Sequence, residues 1–268
     1  MKKIYKIILI FVASIFVLSA VNVKAATLEE IKEKGQLVVG MNAEYPPFEW
    51  VEIVDGEAVV VGIDASLGKM IADEIGVELV IDNRAFDSLI PTLNTNKIDL
   101  IISGMSNTEE RANVVDFSVS YYEPVSQFSV ASDQIDNFKT LEDFKGKKVG
   151  ALLTSTQEIY LKEHLPEVEL VSMSKNGDLV EGLKAKKVDA IFMSDLTLQQ
   201  YLNNYGDIMT VVEGIDIDNE LLGTSVAMTK GNKELLEIVN KVITEAKENG
   251  DLDKVFEENI QKASAAQE

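Results

Sequence analysis

One helix–turn–strand unit is written twice in this chain, ninety residues apart, and no other feature narrows the possible folds as far. In the first copy Leu89-Ile90-Pro91-Thr92-Leu93 leads through residues 94–97 to Ile98-Asp99-Leu100-Ile101-Ile102. In the second, Leu179-Val180-Glu181-Gly182-Leu183 leads through residues 184–187 to Val188-Asp189-Ala190-Ile191-Phe192. The last helical Leu and the Asp that opens the strand are six positions apart in both. Upstream, Lys34-Gly35 precedes Leu37-Val38-Val39-Gly40, and Lys145-Gly146 precedes Lys147-Lys148-Val149-Gly150. Short β-rich runs alternating with helical patterns predict α/β layers. Their repetition predicts two lobes of similar build, the alternative being chance recurrence of a common unit. Apolar Leu67, Met70, Ile71 and Ile75 at helical spacing predict a helix that Gly76 ends, with a strand over 77–81. The tail reads as a strand over 224–228 and a helix from 233 to about 248, stopped by Asn249-Gly250.

The first 25 residues carry an address. Lys2, Lys3 and Lys6 precede an apolar run over 7–21, and Val23-Lys24-Ala25 offers a small-residue cleavage position. A charged start, a short apolar run and such an end describe a secretory signal peptide, and the run is short for a bilayer span of ~20 residues. The expected product is exported, periplasmic or extracellular. It is also soluble, because the chain has no cysteine to carry a lipid. Cleavage removes four lysines and takes the formal charge from −20 to −24. So acidic a chain does not bind nucleic acid, which needs a basic face. The missing cysteines exclude disulfide scaffolds, thiolate metal sites and Cys nucleophiles. With a single His there is little room for a His triad or a multi-His site. No cofactor or metal motif is present.

Two short crossings, near 121–126 and 216–222, divide the chain into lobes without a long linker. Lobe 1 is expected over 26–121 and 222–268 and lobe 2 over 127–216, with a hinge near 122–126 and 217–221. A cleft between such lobes is where a ligand binds, at the carboxyl ends of the strands. Those ends hold residues 41–50, 103–111, 152–158 and 193–195. Within them Arg111 is the informative residue. Of 25 basic residues only Arg84 and Arg111 are arginine, and what Arg offers over Lys is a planar fork for carboxylate. The alternative is a surface ion pair with Glu109 or Asp116; Arg84, without such a context, reads as a solvated charge. Thr154-Ser155-Thr156 sets hydroxyls and free N–H groups at a helix start, which favours an anion. Tyr45 before two prolines, and Phe86, are either core or walls of the site. Trp50, Glu44 and Glu49 are candidates for its mouth.

In this order the blocks resemble the polar amino-acid ABC-importer solute-binding proteins, solute-binding family 3. The carriers are Tyr45-Pro46-Pro47-Phe48-Glu49, Gly62-Ile63-Asp64, residues 86–93, residues 97–111 through Arg111, Val115-Asp116-Phe117-Ser118, Lys230-Gly231-Asn232 and Asn249-Gly250. The resemblance implies an α/β, two-lobe, periplasmic-binding-protein-like type II fold with a ligand cleft and a two-crossing hinge. It implies capture of a free L-amino acid, polar or basic, by a monomer without cofactor that delivers it to a membrane permease. A cyclohexadienyl-dehydratase-like enzyme on the same fold and a ligand sensor for a signalling partner are the alternatives. Carried over by position, Arg111 grips the α-carboxylate with the Ser106 hydroxyl and the N–H groups of Ser106 and Thr156. Gly104 offers its carbonyl to the α-ammonium, and Tyr45 and Phe86 sandwich the side chain. Ser103, Met105, Ser155 and Glu44 complete the expected site. This chain departs from the family pattern twice. Thr154 stands where the family has Gly. The family's ammonium-binding acid falls on Ser194, with Asp195 one residue later, and Asp195 is the expected partner.

Overall fold

The computed structural model describes residues 27–215, 217 and 223–265. Residues 1–25, expected to be a signal segment, and most of the expected second crossing over 217–221 lie outside them. Along the chain run α1 Leu28–Lys34, β1 Gln36–Met41, β2 Glu44–Tyr45, β3 Glu49–Val54, β4 Glu57–Val61, α2 Ile63–Ile75, β5 Glu78–Asn83, α3 Leu89–Leu93, β6 Leu100–Ile101, α4 Glu109–Ala112 and β7 Val115–Phe117. Then follow β8 Ser126–Ala131, β9 Lys148–Leu152, α5 Thr156–His164, β10 Glu169–Met173, α6 Asn176–Lys184, β11 Ala190–Ser194, α7 Asp195–Tyr205 and β12 Met209–Val211. Last come β13 Ala227–Thr229, α8 Lys233–Glu248 and α9 Asp251–Ala265.

Two five-stranded sheets result, in the orders β5-β1-β6-β13-β7 and β10-β9-β11-β8-β12. In each, the first three strands are parallel, and the fourth and fifth join by antiparallel pairing. The repeated unit occupies the same place in both. Asp99 accepts the Val38 N–H at 2.8 Å and Asp189 the Lys148 N–H at 2.8 Å, so each ties its own strand to the start of a neighbour. The turns match too: Asn96 and Lys186, three residues before each Asp, are both left-handed, at φ 54° and 55°. Gly35 and Gly146 likewise turn at φ 69° and 68°, a conformation that glycine adopts without a Cβ clash.

Local signals place the other ends. Thr27 and Glu30 form a reciprocal capping box at α1. The helix expected from residue 67 begins at Ile63, because Gly62 starts the turn and Asp64 is buried in its first turn. In α8, Leu235, Val239, Val242, Ile243 and Ala246 make one buried face over the first sheet. Phe128 stacks between Phe144 and Phe192 in the second lobe's core, with ring centroids 4.3 and 4.1 Å apart. Among the elements without a sequence reading are the three-stranded β2–β3–β4 sheet, and α9, which packs beside α2 and reaches α7 through Asn203 and Ser264.

At the first crossing, Tyr122 bridges Thr224, so the outgoing chain and the point of its return lie side by side. Beyond Tyr122 the chain enters the second sheet at β8, and β13 brings it back to the first. No helix among the described residues is long and apolar enough to cross a membrane.

Candidate ligand site between the lobes

The carboxyl ends of β1, β6, β9 and β11 meet at a cavity with about 540 Å³ of space not filled by atoms, part of it open to solvent. Its wall holds Tyr45, Phe86, Ser103, Gly104, Ser106, Arg111, Ser155 and Thr156, all expected from the sequence.

Arg111 lies at the centre of the chemistry. Thr108 caps the single turn of α4 by accepting the Arg111 N–H at 3.2 Å, and this sets the direction of the side chain. The residue is 8% exposed. Its Nη1 donates to the Ser106 carbonyl at 2.8 Å and its Nη2 to the Thr154 carbonyl at 2.7 Å, with the guanidinium 5.4 Å from the Phe86 ring centre. No carboxylate pairs with it among the described residues, so the surface ion pair with Glu109 or Asp116 is not formed. Burial lowers its pKa to about 10, so it stays charged at neutral pH. A buried cation held only by carbonyls is an incomplete arrangement that a carboxylate completes.

Behind the wall stand two buried acids. Glu49 and Asp64 are each 0% exposed. Glu49 lines the cavity and accepts the Ser103 hydroxyl at 2.6 Å, while Ser103 accepts the Asn42 N–H at 2.9 Å. Asp64 accepts the Gly104 N–H at 2.7 Å and the Tyr121 hydroxyl at 2.8 Å. Tyr45 is held by stacking on Phe48, 5.1 Å between centroids, and its hydroxyl bonds Ser194 of the opposite lobe. Burial raises the Tyr45 pKa, so the hydroxyl stays protonated. Three wall atoms are buried without a hydrogen-bond partner: Asn42 Oδ1, Glu49 Oε2 and Asn176 Nδ2. Orphaned polar atoms are rare in protein interiors and mark places where a ligand can bond.

Comparison with known proteins gives the family. Residues 37–262 match the bacterial extracellular solute-binding proteins, family 3. The chain belongs to that family. It is 34% identical to the arginine-binding extracellular protein ArtP of Bacillus subtilis, over 95% of this chain and 96% of that protein. The solved structure of AbpA, an amino acid ABC transporter substrate-binding protein of Streptococcus pneumoniae bound to L-arginine, is 39% identical. It superimposes with a TM-score of 0.84, covering 88% of this chain and 98% of that one. The ancestral amino acid-binding protein AncCDT-1, a precursor of cyclohexadienyl dehydratase, is 32% identical with a TM-score of 0.78, over 88% and 100% of the two chains.

As a family 3 protein the chain shows some unexpected placements. Asp195 does not face the cavity. β11 runs through Ser194, the residue just before α7, so Ser194 holds the cleft-facing position and Asp195 is the first helical residue. Its carboxylate turns to the crossing, accepting the Tyr122 hydroxyl at 3.2 Å and the Val125 N–H at 3.4 Å. Asp195→Ala should therefore change ligand affinity by no more than about threefold, against the tenfold or greater loss expected of a direct charge partner. Calorimetry beside Ser194→Ala decides it. A larger loss in Asp195→Ala returns the acid to the ligand.

Three further residues stand off the wall. Glu44 pairs with Lys175 of the other lobe. Met105, between wall residues Gly104 and Ser106, packs into the core with Phe86 and Leu89. Thr154 contributes its carbonyl to Arg111. It adopts φ 61°, the left-handed turn that Gly would take, held by Glu158 on its N–H at 2.8 Å. The departure at Thr154 thus leaves the turn its shape, at a strain of order 1–3 kcal/mol. Trp50 bonds Glu52 and is not in the wall. Arg84 is paired with Asp82 and bonds Thr92 at 2.7 Å, so it is not the solvated charge its sequence context suggested.

Gln157, Asn176, Leu152 and Met193 also line the cavity. Asn176 opens α6 beside Gly177, and that position carries no sequence signal for a site.

Proposed function

We propose that this protein captures a free L-amino acid with a basic side chain, arginine foremost, by closing its lobes around it, and delivers it to an ABC importer. The observation that carries the reading is the buried Arg111 guanidinium, without an acidic partner, at the seam of the two lobes. An α-carboxylate supplies the missing charge, with the Ser106 hydroxyl and the Thr156 N–H beside it. The Gly104 carbonyl and the Ser194 hydroxyl receive the α-ammonium. Glu49 and the unpaired Asn42 Oδ1 offer acceptors to a guanidinium, between Tyr45 and Phe86. An arginine ligand is also supported by the arginine-binding relatives.

Closure draws on contacts that join the lobes: Arg111 to the Thr154 carbonyl, Tyr45 to Ser194, and Glu44 to Lys175. A ligand that touches both sides adds to them, so the closed form is favoured when it binds. Lobe 1 comprises 26–121 and 222–268 and lobe 2 comprises 127–216, turning about 122–126 and 217–221. Residues 1–25 direct export and are removed. The protein acts by binding and not as an enzyme, and serves as a monomer.

A thermal-shift screen of the twenty amino acids tests this. Arginine at 100 times its dissociation constant should stabilise the fold by about 2.7 kcal/mol. That raises the melting midpoint by roughly 5–11 °C for a chain of this size. No shift with any amino acid overturns the proposal.

A further inference from the structure

Two carboxyl groups in contact, with no cation beside them, cannot both be charged in a protein interior. Glu49 and Asp64 are such a pair, reached from β3 and α2, in hydrogen-bond contact and fully buried. The groups facing them are Tyr121, Tyr45, Ser103, Asn42 and the Gly104 N–H. No Lys, Arg or His pairs with either acid among the described residues, and Arg111 across the cavity is turned to carbonyls. The donors are shared unequally. Both Asp64 oxygens receive one, from Gly104 and Tyr121, whereas Glu49 Oε2 receives none. An oxygen that carries a proton needs no donor, and Glu49, set against Asp64, is the acid left short of one. Burial, then the Asp64 charge, hold Glu49 well above the usual carboxylate range, and burial pushes Asp64 up to about 6.

The charge-bearing side chains in the wall of the site are Arg111 and Glu49, with Asp64 buried behind Glu49. With one shared proton the pair carries a single negative charge, which balances Arg111 and suits a zwitterionic ligand of no net charge. Arginine brings one positive charge more. The balance then requires the second carboxylate.

We infer that the Glu49–Asp64 pair holds one proton in the ligand-free protein and gives it up when a cationic side chain enters, so that arginine capture releases a proton and capture of a neutral amino acid does not. In the exchange the Glu49 O–H bond breaks, the proton passes to solvent buffer, and a guanidinium N–H donates to the carboxylate left behind. The inference rests on arginine being a ligand, as proposed above.

Titration calorimetry of the wild-type protein with L-arginine, in buffers of different ionisation enthalpy, reads the proton directly. L-Citrulline, the uncharged isostere, is the comparison. About one proton should leave per arginine and none per citrulline. Arginine affinity should rise up to about tenfold per pH unit while the pair is protonated, then level off. Glu49→Gln should abolish the proton release and flatten the pH dependence. Arginine binding whose enthalpy is the same in every buffer, with affinity flat between pH 5 and 8, overturns the inference and leaves the amino-acid reading intact. Failure of arginine to bind at all removes both the arginine assignment and this inference.

Discussion

Arg111→Ala should weaken amino-acid binding by roughly 30- to several-thousand-fold while leaving the ligand-free fold standing. Removing one partner of a buried, hydrogen-bonded charge pair costs about 2–5 kcal/mol, which sets that range. The ligand-free protein behaves differently, because there no carboxylate touches the guanidinium. Its two bonds to the Ser106 and Thr154 carbonyls are offset by the burial of its charge. The melting midpoint without ligand should thus move by no more than about 4 °C, while the arginine-induced shift disappears. Arg111→Lys should recover only part of the affinity, since an ammonium lacks the planar fork. Calorimetry with thermal melts reads both effects. Unchanged affinity in Arg111→Ala would sink the carboxylate clasp.

Gly104→Ala should harm both stability and binding. Gly104 sits at φ 53°, and a Cβ built on it would lie 2.5 Å from the Tyr45 ring. The left-handed backbone alone costs roughly 1–2 kcal/mol for a residue with a Cβ. The ring cannot simply give way, because it is stacked on Phe48 and bonded to Ser194 across the cleft. Displacing it strips one wall from the site and removes an inter-lobe bond. A midpoint lowered by about 3–8 °C and an affinity lowered at least about tenfold are expected. A variant that melts and binds like the wild type would show that Tyr45 is free to move and does not wall the site.

The repeated unit was legible because its determinants are local. A helix, a turn with one left-handed residue and the Asp that follows it lie within a dozen positions, and both copies fold alike, although the N–H each Asp reaches lies 61 or 41 positions upstream. Arg111 was legible through chemistry, as a rare arginine in a chain that uses lysine. Its surroundings refined the reading without displacing it. Ser194 and Asp195 show the limit. One residue decides which side chain enters the cleft, and strand ends are set by pairing across the sheet, here of Ser194 with Ser126. The Glu49–Asp64 pair was not legible. Glu49 appeared as one acid among many at a mouth, and only the fold-back of β2, β3 and β4 lays it against the first turn of α2.

The sequence by itself determined the α/β grammar, its duplication, the caps that start and stop its helices, and the rare arginine that stands in the cavity wall. These depend on neighbours within a few residues, where spacing and backbone preference suffice. The tertiary structure alone decided which acids face the cavity, which are spent on the crossing or on a lysine of the other lobe, and which lie buried against each other. Those outcomes depend on burial and on partners 15 to 149 positions away (Glu49 with Asp64, Tyr45 with Ser194), and desolvation acts on a charge only once the fold has closed around it.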